Sequence, residues 1–169
     1  MSPRAGEQDD RELRELALRH RGALSRLCRH YEANEEARRD LEQDVLVALF
    51  TARASFRGES SERTWVLRIA HNVASTHVAK AMRTRRDDAV APAPAPAAGP
   101  DEVALGHDLA RRLDERLRRL DLASRQLVLL ALEGCTTQEI ADVTGLSPTH
   151  VTTKLSRLRK ALTPEDGHG

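Results

Sequence analysis

Aromatic residues are nearly missing from this chain: among 169 residues there are one Trp, one Tyr and two Phe, 2% of the total. Strand-rich folds cover their pleated faces with aromatic and β-branched side chains, so the shortage argues against a sandwich or barrel and leaves cores of Leu and Ala. Cysteine is also scarce. Cys28 and Cys135 stand far apart with no CxxC pair and no His/Cys cluster, which offers neither a disulfide framework nor a zinc site. Both thiols are expected to act as small buried apolar groups. No run approaches the roughly 18 apolar residues of a membrane span, and the N-terminus lacks the apolar core of a signal peptide, so a cytoplasmic chain without membrane insertion is expected. There is no HExxH motif, no phosphate-cradling Gly loop and no inferable Ser/His/Asp arrangement, and the seven histidines are scattered. An enzyme is the poorest reading of such a chain, and neither cofactor nor metal is expected.

A charge excess is absent as well: 27 basic residues face 26 acidic ones, for a formal net charge of +1. That balance alone argues against strong binding to nucleic acid, where affinity comes mainly from cations on phosphate. The local distribution is uneven. Six basic residues and no acid lie between Arg63 and Arg86, whereas six acids and two arginines lie between Glu32 and Asp44. The first stretch suits nucleic acid and the second a basic protein surface, with ordinary solvated helix faces as the plain alternative.

Helical periodicity runs through most of the chain. Leu13, Leu16, Ala17, His20, Leu24, Leu27 and Tyr31 recur at three- and four-residue steps and predict a first amphipathic helix. Ala37, Leu41, Val45, Ala48, Leu49 and Ala52 predict a second, stopping near Phe56-Arg57-Gly58. A third is expected from about Glu62 to Arg85, burying Trp65, Ile69, Val73 and His77 and exposing Arg68, Asn72, Ser75, Thr76 and Arg83. Pro92, Pro94, Pro96 and Pro100 then forbid a stable helix. Read as an extended spacer, Asp88 to Asp101 would reach about 40 Å, beyond the roughly 34 Å of one duplex turn; a plain tether is the alternative. Downstream, Leu109, Leu113, Leu117 and Leu120 form one helical stripe, and Leu127, Leu130 and Ala131 another that closes at Gly134. The expectation is an all-α chain of two small helical domains, 1–87 and 105–163, joined by a Pro/Ala-rich linker, 88–104, with a short tail, 164–169.

The most informative segment is TTQEIADVTGLSPTHVTTKLSRLRK, Thr136 to Lys160. Thr136 and Glu139 have capping-box spacing, and Ile140, Ala141 and Val143 face inward on the helix they start. Gly145 permits the sharp turn that ends it. Ser147 offers an N-cap and Pro148 fits the first position of a new helix, which buries Val151, Leu155, Leu158 and Leu162. Its remaining surface is polar and basic with no acid before Glu165, as a major groove requires. Ser147, Thr149, His150, Thr153, Lys154 and Arg157 are the candidate DNA contacts of this helix-turn-helix, and a helical hairpin with a solvated basic face is the alternative.

A helix-turn-helix alone fits a repressor or activator equally well. The residues upstream narrow the choice, because the pair of segments resembles the extracytoplasmic-function (ECF) sigma factors, which direct bacterial RNA polymerase to promoters. Arg125 to Leu162 is similar to the family's region 4, the reader of the −35 element. Asp40-Leu41-Glu42-Gln43-Asp44 resembles the region 2 motif that docks on the polymerase clamp, which implies polymerase binding by Asp40, Leu41, Gln43 and Asp44. Phe56-Arg57-Gly58 followed by Trp65-Val66-Leu67-Arg68-Ile69-Ala70-His71-Asn72 resembles the segment that engages the melted −10 element, which implies DNA contacts by Arg57, Ser60, Ser61, Arg68, Asn72 and Thr76. Trp65, at helical spacing from Ile69, is read as core rather than as a stacking platform. The chain departs from the family pattern at Arg38-Arg39, where an acidic pair is common, and at Thr76-His77-Val78-Ala79, where Asp-His-Leu-Arg is usual. The resemblance further implies core RNA polymerase, promoter DNA and an anti-sigma factor as partners. A conventional regulator acting on duplex DNA without polymerase is the competing reading, and it leaves the docking and −10 segments without a purpose.

Overall fold

The computed structural model describes residues 3–88 and 104–163, within which seven α-helices and one short 3-10 turn occur and no strand. The chain divides into two compact units, Met1–Pro94 and Ala95–Gly169. Apart from its ends at Asp88 and Ala104, the segment read as a linker lies outside the described residues, as does the tail 164–169.

The first unit packs α1 (Pro3–Tyr31), α2 (Glu35–Ala52) and α3 (Glu62–Asp88) around one core. On α1 the expected stripe is buried from Leu16 through Leu24, Leu27 and Tyr31, joined by Ala23 and Cys28. Leu13, Ala17 and His20 on the same stripe are only half-buried. α2 starts at Asn34, whose side chain accepts the Ala37 amide at 3.0 Å, and Glu35 and Glu36 occupy the first turn, where the helix dipole favours acids. Leu41, Val45 and Leu49 then seal the core. A 3-10 turn, Arg53–Ser55, closes the element, followed by Gly58 at φ +72°.

The buried face of α3 differs from the expected one. Trp65 is enclosed, but Ile69, Val73 and His77 are half-buried, and the enclosed partners are Val66, Leu67, Ala70, His71 and Ala74. α3 lies against both α1 and α2, so its buried stripe is broad and includes small alanines that a pattern weighted to large side chains passes over. His71 is fully buried, and its Nδ1 shares a 2.9 Å hydrogen bond with the Tyr31 hydroxyl, the rings meeting edge to face. Burial pushes the Cys28 thiol up to about 12, as an apolar role predicts. Cys135 is only half-buried, so that expectation does not extend to it.

The second unit contains α4 (Ala104–Arg119), α5 (Leu122–Leu132), α6 (Thr137–Thr144) and α7 (Pro148–Leu162), with Leu117, Leu127, Leu130, Ile140 and Val151 fully enclosed. The stripe expected on α4 holds only at its C-terminal end. Leu113 and Leu120 are half-buried and Leu109 is exposed, because what ties α4 to the rest of the unit sits in its last turns. There the nearly buried Arg125 guanidinium donates to the carbonyls of Leu117 (3.0 Å), Arg118 (2.6 Å) and Leu120 (3.1 Å), which satisfies acceptors that a helix end leaves open. α5 stops as expected near Gly134: the Gly134 amide bonds Ala131 O and the Cys135 amide bonds Leu130 O, the paired bonds of a Schellman end.

Candidate nucleic-acid and docking interfaces

The helix-turn-helix forms from the local signals in its sequence. The Thr136 side chain accepts the Glu139 amide at 3.2 Å, and the Glu139 carboxylate accepts the Thr136 amide at 2.8 Å, so both halves of the capping box are closed. Gly145 ends α6 at φ +74°, its amide on Ala141 O at 2.8 Å. An added Cβ there would meet nothing within 4 Å, so glycine is required by backbone conformation and not by crowding. Ser147 caps α7 by accepting the His150 amide at 3.3 Å, and Pro148 takes the first helical position.

Val151 is buried and Leu155, Leu158 and Leu162 half-buried on the inner face of α7, while Thr149, His150, Thr153 and Arg157 are exposed on the other. All six anticipated residues border one open depression along the helix. Three of the six also have work within the unit, Thr153 through the bond its hydroxyl donates to Thr149 O at 3.0 Å. Ser147 sets the start of the helix, so its oxygen is engaged by the backbone. Lys154 is half-buried, and its charge contributes to holding the Asp121 carboxyl below its usual range, a shift caused chiefly by hydrogen bonding from Ser124. At the far end of α7, Arg116 of α4 donates to Leu162 O at 2.7 Å and anchors the helix C-terminus, a role no local sequence signal marks.

On the first unit, Arg68, Asn72 and Thr76 are exposed at four-residue steps along α3, beside the loop that carries Arg57, Ser60 and Ser61. Arg57 is exposed and Ser60 half-buried. The Ser61 hydroxyl caps α3, accepting the Thr64 amide at 3.1 Å and sharing a 2.8 Å bond with the Thr64 hydroxyl. Thr76 donates to Asn72 O at 2.9 Å. Trp65 is core, as expected, with Phe56 5.1 Å away across the base of the loop. Glu62 fixes the first turn of α3 to α1: one oxygen accepts Arg19 Nη2 at 3.0 Å and the other lies 2.8 Å from His20 Nε2. Hydrogen bonds from Arg19 and then His20 hold its carboxyl below the usual range. The outer face of α3 stays basic, with Arg63, Arg68, Lys80 and Arg83 all exposed.

The acidic motif on α2 divides by burial. Asp40, Gln43 and Asp44 are exposed, whereas Leu41 is 0% exposed and cannot touch a partner. Its place in the motif is to seat the helix on the bundle. Arg39, one of the two arginines standing where acids are common, is paired with Glu35 one turn back, which blunts its charge. Sequence reading missed an apolar patch in the second half of this helix: Leu46, Val47 and Phe50 are exposed, with the Arg53 guanidinium 5.9 Å over the Phe50 ring. The signal was present in the 43, 46, 47, 50 spacing, which puts them on one face with Gln43.

Comparison with known proteins matches the two units separately. A family model for Sigma-70 region 2 covers residues 16–84, and one for Sigma-70, region 4 covers residues 110–162. The RNA polymerase sigma factor NccH of Alcaligenes xylosoxydans xylosoxydans is 29% identical over 170 residues, spanning 96% of this chain and 91% of its own. The ECF RNA polymerase sigma factor SigX of Bacillus subtilis strain 168 is 29% identical over 138 residues, 73% of this chain and 67% of its own. Among solved structures, CnrH in complex with the cytosolic domain of CnrY aligns at TM-score 0.65 and 28% identity, covering 90% of this chain and 86% of that one. The sigma factor RpoE in complex with the anti-sigma factor NepR from Bartonella quintana aligns at TM-score 0.70 and 22% identity over 89% and 94%, a likeness of fold.

Proposed function

We propose, from the premise that this chain belongs to the sigma-70 family of RNA polymerase sigma factors and to its ECF branch, that it works through three separate surfaces. The protein is a transcription initiation factor that binds core RNA polymerase, recognises the −35 and −10 elements of promoters and promotes their melting. It acts by binding, in the cytoplasm, and no helix among the described residues is long and apolar enough to cross a membrane.

The assignment of surfaces rests on burial and charge. On α2, Asp40, Gln43 and Asp44 offer acceptors on adjacent turns to a basic helix of polymerase, and the exposed Leu46, Val47 and Phe50 continue that surface with apolar area. On α3 and its preceding loop, Arg57, Ser60, Arg68, Asn72 and Thr76 meet the opened −10 strand. Trapping an unstacked base costs a few kcal/mol and needs hydrogen-bonding groups beside positive charge, which this face supplies. Ser61 supports it as the cap of α3. On α7, Thr149, His150 and Thr153 reach base edges of the −35 element while Lys154 and Arg157 meet phosphate. The units Met1–Pro94 and Ala95–Gly169 each carry one promoter contact, with the proline-rich segment as their connection. An anti-sigma factor is the expected regulator; the relative CnrH is held in complex with CnrY.

The observation that carries this reading is the pairing, in one chain, of an exposed acidic docking face on α2 with a capped helix-turn-helix whose outer face is cationic. Run-off transcription with bacterial core polymerase tests it. Added protein should confer initiation at a subset of promoters. Asp40→Ala combined with Asp44→Ala should weaken core association about tenfold or more, with helicity unchanged. Duplex binding without core, together with no stimulated transcription, would instead identify a conventional regulator.

A further inference from the structure

Thr153 lies about 200° around α7 from the buried Val151, near the centre of the face turned away from the core, and in the N-terminal half of the helix that enters the groove. Its side chain is exposed, but its hydroxyl is not uncommitted: Oγ1 donates to Thr149 O at 3.0 Å, one turn back. Thr152 does the same toward Pro148 O at 3.0 Å. A threonine hydroxyl carries a single proton, so a hydroxyl that gives it to the backbone has none for the O4 acceptor of thymine and could only accept, from the amino group of another base. With Oγ1 held on the Thr149 carbonyl, the γ-methyl is the part of this exposed side chain left without a hydrogen-bonding role. A methyl group on a recognition helix has one distinctive counterpart in the major groove, the C5-methyl of thymine.

Resting on the reading of α7 as the −35 helix, we propose that Thr153 is a specificity residue that recognises a thymine through methyl-to-methyl contact, with its hydroxyl serving the helix and not the base. The neighbours fit this division. Lys154 and Arg157 flank Thr153 with the charge that positions phosphate, and both border the same depression. The discrimination is that of one buried methyl group, about fourfold in affinity, and belongs to a single base pair.

The test uses the full-length chain assembled with core polymerase and offered promoter duplexes whose upstream element is randomised; bound duplexes are sequenced. Three proteins are compared: wild type, Thr153→Val, which keeps a methyl and loses the hydroxyl, and Thr153→Ser, which keeps the hydroxyl and loses the methyl. Wild type and Thr153→Val should share a thymine preference at one position that Thr153→Ser lacks. Deoxyuridine in place of that thymine should weaken wild type and Thr153→Val about fourfold and leave Thr153→Ser unchanged. A preference kept by Thr153→Ser and lost by Thr153→Val, no sensitivity to deoxyuridine, or three identical preferences would each overturn the proposal while the sigma factor reading stands. Selection of no common element by the wild-type protein would remove that reading, and the assignment of Thr153 with it.

Discussion

Glu62 sits in the first turn of α3, yet both oxygens of its carboxylate are committed to α1, Oε2 to Arg19 and Oε1 to both Arg19 and His20. These contacts hold its carboxyl below the ordinary value of 4.5, so near and below that value the unfolded chain binds more protons at this site than the folded one. The stability Glu62 confers is therefore complete above the ordinary glutamate range and is lost as pH falls through the lower, folded-state value. Urea unfolding monitored by Trp65 fluorescence between pH 7 and pH 3 should show a midpoint that falls with acid, and Glu62→Gln should make that fall shallower. Equal slopes in the two proteins would exclude the linkage. Neither this cluster nor the buried Tyr31–His71 pair was legible in the sequence, because their partners lie some 40 residues apart and are brought together only by packing. Where both partners of a contact are three residues apart, as at Thr136 and Glu139 or Ser147 and His150, the residues alone were enough.

At the scale of the element, α7 is specified almost entirely by its neighbourhood in sequence. Cap, proline, turn glycine and apolar spacing agree, which is why its bounds and exposed face were readable in advance. The turn gives a measurable cost: Gly145→Ala forces an L side chain to φ +74° and should lower stability by about 1 kcal/mol, seen as a shift in the urea midpoint by circular dichroism. No neighbour obstructs the new methyl group, so a loss well above that figure would mean that the turn packs against something further. The cationic side of the helix makes a different prediction. Arg157→Ala should weaken promoter binding across sequences and reduce the salt slope by about 0.9, the signature of one phosphate contact. A loss confined to particular sequences would assign Arg157 to base reading. By contrast α3, packed on two sides, and the N-terminal half of α4, covered by little, were misjudged because burial there depends on what lies opposite. Apolar spacing records which face can be buried, and not how wide a face the partners cover.

At the scale of the whole molecule, all four aromatic residues, Tyr31, Phe50, Phe56 and Trp65, fall in the first unit, and the apolar part of the second unit's core is aliphatic, with Arg125, Ser124 and Asp114 buried beside it. Each unit closes its own core, and each matches its own family model. Tryptophan fluorescence therefore reports on the first unit, whereas far-ultraviolet circular dichroism reports on both. Arg125 provides the lever. Its guanidinium binds three carbonyls at the α4–α5 corner, so Arg125→Leu leaves buried acceptors without a donor and should lower the stability of the second unit by about 2–4 kcal/mol. If the halves are separate folding units, the variant should show an early unfolding phase by circular dichroism while the Trp65 transition keeps its wild-type midpoint. It should still associate with core polymerase through α2 and yet lose −35 recognition. A Trp65 transition that moves in step with the circular dichroism signal would mean that the two halves unfold as one, and the assignment of docking and −35 reading to independent modules would fail.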